Sequence, residues 1–217
     1  MSLLVLVLLG ACSSEHASVD VRYSLDVAFD VDGERVVGSS VYDLVMSSGG
    51  GSGDGTISRV VTKFKGEAIV VPFSGRPTLV ILMTSGNKDA FRELFLYACG
   101  INIAKDETLQ SYFGRIAAVR GPCEVKLEWL KILGIGDPSD PKAFRLADSN
   151  DLAPTFGSGI RIVSASVSKS DQPVTSGIRA MFPWIPRHGE WQQPGSVLSK
   201  VSVGIDLTAD LFALGDT

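Results

Sequence analysis

From Val19 to Val31 the chain alternates, with Val19, Val21, Tyr23, Leu25, Val27, Phe29 and Val31 separated by mostly polar residues. A period of two places these side chains on one face of a strand, so the segment predicts a half-buried β-strand. Asp32-Gly33 then offers a two-residue turn tolerant of positive φ, and Arg35 to Met46 returns as the second arm of a long hairpin. Ser47 to Gly55 is rich in glycine and serine and predicts a loop.

Three further strands are expected at Ile57 to Phe64, Glu67 to Phe73 and Thr78 to Met83, the last two joined by the turn residues Ser74 to Pro77. The runs Ile69-Val70-Val71 and Leu79-Val80-Ile81-Leu82 are apolar at every position, which suits strands covered on both faces. Asn87 can cap a helix through Cys99 that aligns Phe91, Leu94, Phe95 and Ala98, and Asp106 to Ala118 offers a second helix. Glu124 to Leu133 reads as a strand stopped by Gly136-Asp137-Pro138, and Lys142 to Leu146 as a short one. Asn150 to Phe156 suits a single helical turn, Ile160 to Ser168 a strand, and Thr175 to Phe182 a short helix. Pro183 to Gly195 holds three prolines and two tryptophans and predicts an irregular loop before a last alternating strand from Val197 to Leu207. Strands, then helices, then strands again argue for an α+β fold, a largely antiparallel sheet or sandwich with two to three covering helices.

The first residues break this pattern. Met1 to Cys12 reads MSLLVLVLLGAC, an apolar run ending in Leu9-Gly10-Ala11-Cys12. It resembles the lipobox of bacterial lipoproteins, in which small residues precede a cysteine that is acylated and becomes the new N-terminus. Small side chains suit a peptidase that binds the backbone closely, and the polar stretch from Ser13 to Ser18 suits a tether. The expected organisation is a signal peptide over 1–11, a tether over 12–18 and one β-rich domain over 19–217. No Lys or Arg precedes the apolar run, unlike most export signals, which points to a start further upstream. The alternative is a buried apolar element with Cys12 an ordinary core thiol.

Composition narrows the partners. With 217 residues, 45% hydrophobic and 20% charged, the chain is long enough for a sizeable core. A net charge of −4 with dispersed Lys and Arg provides no basic stripe, so nucleic acid is not an expected partner. The mean hydropathy of +0.22 owes part of its height to Leu3–Leu9. With Cys12 assigned to lipid, Cys99 and Cys123 remain; in an oxidising compartment they can bridge, or they can be two separate buried thiols.

No catalytic signature stands out. His16 lies in the tether, and His188 lacks the Gly-x-Ser-x-Gly elbow that would accompany a hydrolase triad, so it reads as a loop histidine. Asp30, Asp32 and Glu34 around Gly33 suit a hairpin turn better than a calcium loop, and Asp137, Asp140, Asp148 and Asp151 suit turns and helix caps better than a cation site. Gly49 to Gly55 is followed by no Gly-Lys-Ser or Gly-Lys-Thr and makes no phosphate loop. Neither a metal nor a cofactor is expected. Trp184 and Trp191 are the candidate partner-binding residues, since aromatic side chains on an irregular loop serve as interaction anchors; covering the core is the competing role.

Glu67 to Val71, Trp129-Leu130 with Gly136 to Lys142, Asn150 to Gly157, and Asp171 to Ile178 with Pro183-Trp184 together resemble an uncharacterised family of small proteobacterial envelope proteins. The resemblance spans most of the mature chain and rests on turns, a capped helical turn and a loop. It implies an exported lipoprotein and supplies no catalytic residue. The expectation is thus a non-enzymatic, lipid-anchored envelope protein, at the outer membrane facing the periplasm, that binds an envelope protein or polymer through an exposed sheet edge or the Trp-rich loop. A hydrolase of envelope polymers and a carrier with an apolar cavity are the alternatives.

Overall fold

The computed structural model describes residues 17–49, 60–83, 93–140 and 143–185, together with the backbone of a strand at 213–214. The alternating segment forms β1 (Ser18–Val31), which pairs in antiparallel register with β2 (Glu34–Ser48) across Asp32-Gly33. Both turn residues have positive φ, 53° and 89°, the geometry that matches the twist of a two-residue hairpin. β3 (Val60–Glu67) continues the sheet beyond β2, and β9 (Ile160–Lys169) fills the other edge of β1, with a bulge between Ala28 and Phe29.

At the end of β3 the chain changes sheets. Gly66 has φ +151°, and a Cβ there would overlap the Tyr42 ring, so only glycine allows the bend. Two residues after Glu67, β4 (Ile69–Val71) begins a second sheet with β5 (Thr78–Leu82), β7 (Lys131–Ile135) and β8 (Phe144–Ala147), in the order β4-β5-β7-β8. The larger sheet has the order β10-β3-β2-β1-β9-β6, where β6 is Cys123–Glu124 and β10 is Ala213–Leu214, paired with Gly66 and Glu67. Among the described residues every strand pairing is antiparallel, and the fold is α+β.

The inward side chains of β1 and β2 meet two different covers in one core. Val27 and Phe29 share it with Ile69, Leu79, Ile81 and Ile132 of the smaller sheet, while Val19, Val21 and Tyr23 share it with Leu94 and Phe95 of α1 (Leu94–Ala98) and Phe113 and Ile116 of α2 (Leu109–Ala118). An aromatic group ties this end together, with the Tyr23 ring 5.1 Å from Phe95 and 5.4 Å from Tyr42. Burial pushes both phenols upward, so they stay neutral.

The opposite face of the smaller sheet is also apolar, as its unbroken hydrophobic runs require. Val80, Leu82, Leu133, Ile135 and Phe144 lie under Ile178, Phe182 and Ile185, from the segment carrying α4 (Ile178–Met181). Burying each of these three side chains contributes about 2–3 kcal/mol. Hydrogen bonds set the path of the segment: the Thr175 N–H donates to the Val41 carbonyl at 3.1 Å, and the Val41 N–H donates to Thr175 Oγ1 at 2.8 Å. The Ile178 N–H donates to the buried Glu67 carboxylate at 2.8 Å, and Ser40 Oγ donates to the Glu67 carbonyl at 2.7 Å.

Several boundaries differ from the sequence expectation. Glu124 to Leu133 is not one strand: β6 pairs with β9, a 3-10 turn follows at Leu127–Trp129, and β7 belongs to the other sheet. The alternation of Val125, Leu127 and Trp129 therefore marks a crossing between sheets. Glu67 closes β3 instead of opening β4, and β8 starts at Phe144. The second helix begins at Leu109, because Thr108 accepts the Ser111 N–H while Glu107 folds back onto Arg115 and the Ala104 N–H. Those contacts, the Arg115 hydrogen bond foremost, hold the Glu107 carboxyl at about 2. The stability they provide is present above the ordinary glutamate range and is lost as pH falls toward 2. Thr175 to Phe182 contains a single helical turn, since Thr175 is engaged with Val41. Asn87, Phe91 and the expected strand from Val197 to Leu207 lie outside the described residues.

Gly66→Ala is expected to lower the unfolding free energy by about 2–4 kcal/mol, through backbone strain and collision with Tyr42. Gly136→Ala, whose Cβ would meet only the Ala143 carbonyl oxygen at 3.9 Å, should change it by less than about 1 kcal/mol. Urea denaturation followed by tryptophan fluorescence checks both; equal effects would remove Gly66 from its assigned role.

Candidate functional site

β8 is the last strand of the smaller sheet, and among the described residues nothing pairs with its outer edge. The strand is short because turn chemistry bounds it on both sides. Before it, Asp137 Oδ1 accepts the N–H and Oγ–H of Ser139 at 2.8 and 2.7 Å, which also lowers the Asp137 carboxyl from its ordinary value. After it, Asp148 Oδ1 accepts the Asn150 N–H at 2.9 Å, and Asp151 Oδ1 accepts the Ala153 N–H at 3.2 Å where α3 (Ala153–Phe156) begins.

Side chains alternate along this edge. Phe144 and Ala147 are buried, whereas Arg145 and Leu146 are exposed, Leu146 to 42%. Arg145 lies opposite Gly134 in the β7–β8 register and shares its face with Ala147 and Ile132, the face toward the main core. Leu146 lies opposite Leu133 on the other face.

A groove opens beside each of these exposed residues. On the Arg145 face a space of about 420 Å³ is lined by Pro77, Gly134, Gly136, Arg145 and Thr155, among others. Gly134 shapes it, because a Cβ there would overlap the Thr155 methyl and α3 sits directly over the strand. The Arg145 guanidinium makes no hydrogen bond or ion pair with any described residue. At the other end of the strand a groove of about 330 Å³ is lined by Leu146, Lys131, Glu128, Asp148 and the buried Ser149. The arrangement is an open strand edge flanked by one cationic and one mixed apolar and polar recess.

The residues singled out from the sequence fall in several places. Trp184 is half-buried over the second core, its ring 5.2 Å from Phe144 and 5.7 Å from Phe182, and its indole N–H donates to the Pro138 carbonyl at 2.7 Å. It thereby covers the face of β8 and fastens the turn before it. Cys99, at the end of α1, is joined by a disulfide, with Cα atoms 5.1 Å apart, to Cys123 in β6, a strand of the larger sheet. Asp30 binds Arg161 at 2.7 Å and the Gly33 N–H at 2.9 Å, which lowers its carboxyl, and Asp32 binds Arg76 at 2.6 Å, so these carboxylates fasten the hairpin turn. Cys12, His16, His188 and Trp191 lie outside the described residues. Among the described residues no group of three or more His, Cys, Asp or Glu is placed to hold a metal ion. Arg145 was absent from the sequence candidates; its expected strand assignment was the available signal, and only the sheet order turns that strand into an edge.

Comparison with known proteins found no matching family model, no matching curated protein and no matching solved structure.

Trp184→Ala is expected to destabilise the fold by about 2–3 kcal/mol, through lost ring packing against Phe144 and Phe182. Thermal unfolding checks this. An unchanged melting temperature would return Trp184 to a role in partner contact alone.

Proposed function

We propose that this protein is a bacterial envelope lipoprotein, held to the membrane by lipid on Cys12, that works by binding a partner and not by catalysis. The observation that carries the reading is the way its three cysteines divide. Cys12 ends an apolar run at Leu9-Gly10-Ala11, followed by a polar tether, and the other two cysteines form the Cys99–Cys123 disulfide. A small domain keeps such a bridge in an oxidising compartment, which is where a cleaved lipoprotein signal would deliver it. Acylation of both the thiol and the new amine would supply more than one chain, enough for stable anchoring where a single chain is marginal. Among the described residues no helix is long and apolar enough to cross a membrane.

The open edge of β8 is the surface this reading assigns to the partner. Its backbone can extend the sheet, and the two flanking grooves can accept side chains.

Growth with a labelled palmitate analogue should mark the full chain and leave a Cys12→Ser variant unmarked. In the same cells Cys99 and Cys123 should resist alkylation until a reductant is added. Label retained by Cys12→Ser, or free thiols at both positions, would overturn the proposed location.

A further inference from the structure

Resting on that reading, the edge of β8 carries enough chemistry to specify its occupant. A strand added to a sheet edge sends successive side chains to opposite faces. Here the two faces differ: one presents the Arg145 guanidinium beside the roomy recess lined by Gly134 and Gly136, and the other presents the exposed Leu146, which also lines the second groove. Adjacent residues of an incoming strand would thus meet the Arg145 cation and the apolar Leu146 side chain in turn. We propose that β8 binds an extended segment of a partner protein in which an acidic residue directly adjoins an apolar one, the carboxylate pairing with Arg145 and the apolar side chain covering Leu146.

Charge favours a foreign segment over a second copy. Two copies joined through this strand would bring their Arg145 guanidiniums onto the same face of the joint sheet, where like charges repel. An acidic segment replaces that repulsion with a pairing that can be bidentate. Arg145 then both deters self-addition and selects the partner.

The test uses the full chain in detergent and a fluorescein-labelled hexapeptide of threonines with a central glutamate-leucine pair. Anisotropy should show saturable binding, at least tenfold weaker when the glutamate is replaced by glutamine. Arg145→Glu should lose binding of this peptide by a further tenfold or more and gain binding of the version with lysine in place of glutamate; Arg145→Lys should keep the acidic preference. Arg145 is exposed, so unchanged thermal unfolding of both variants confirms that binding alone is read. No binding of the glutamate peptide, binding indifferent to Arg145, or sedimentation showing copies joined through this edge would each overturn the proposal. Palmitate labelling of the same preparation separates the two ideas: peptide binding lost with labelling intact sinks the edge assignment, and labelling lost with binding intact sinks the anchor.

Discussion

Gly66 lies against the ring of Tyr42 in a backbone conformation that side-chain-bearing residues rarely adopt, and this contact lets the chain leave one sheet and enter another within two residues. Much else converges on the same corner. Glu67 hands its carbonyl to Ser40 and its carboxylate to the backbone at Ile178, and β10 pairs along Gly66 and Glu67. The crossing between sheets, the seating of the outer segment and the docking of the last strand are therefore one constraint. A buried carboxylate is costly unless its oxygens are hydrogen-bonded, so the amide of Ile178 and the position of Glu67 hold each other in place.

The smaller sheet owes its properties to being covered twice. One face belongs to the main core, the other to Ile178, Phe182 and Ile185, with Trp184 at the margin. Double cover explains the unbroken apolar runs at Ile69–Val71 and Leu79–Leu82. It also explains why exposure appears only at the rim, on β8, where Arg145 and Leu146 have run past the reach of both covers. The open edge is a by-product of where the layers stop.

The sequence announced the elements whose residues repeat at a fixed period. The hairpin of β1 and β2 was legible because thirteen residues alternate around an Asp-Gly turn, and the α+β class followed from the order of strands and helices. Reading failed where periodicity was borrowed by something else. Val125, Leu127 and Trp129 alternate, yet a 3-10 turn and a change of sheet separate them. Thr175 has the neighbours of a helix but is spent on Val41, 134 positions away. Glu67 and Arg145 were invisible for a common reason: each gains its role from a partner or a vacancy defined only by the assembled sheets. The choice between a bridge and two thiols at Cys99 and Cys123 likewise depended on a distance that no local pattern encodes.

The position of β1 has a consequence for how the molecule is made. One flank of this strand is satisfied at once by β2, across a two-residue turn, but the other waits for β9; Asp30 meets Arg161, 131 positions further along the chain. As the chain emerges in order, this inner strand keeps an exposed edge until nearly three-quarters of the polypeptide has been made. Long-range closure of this kind is slow, and an unpaired apolar strand is a template for association with other chains. The assembly of this protein is thus paced by its middle, and a fragment ending before β9 would hold every hydrophobic residue of the first hairpin without the means to close it.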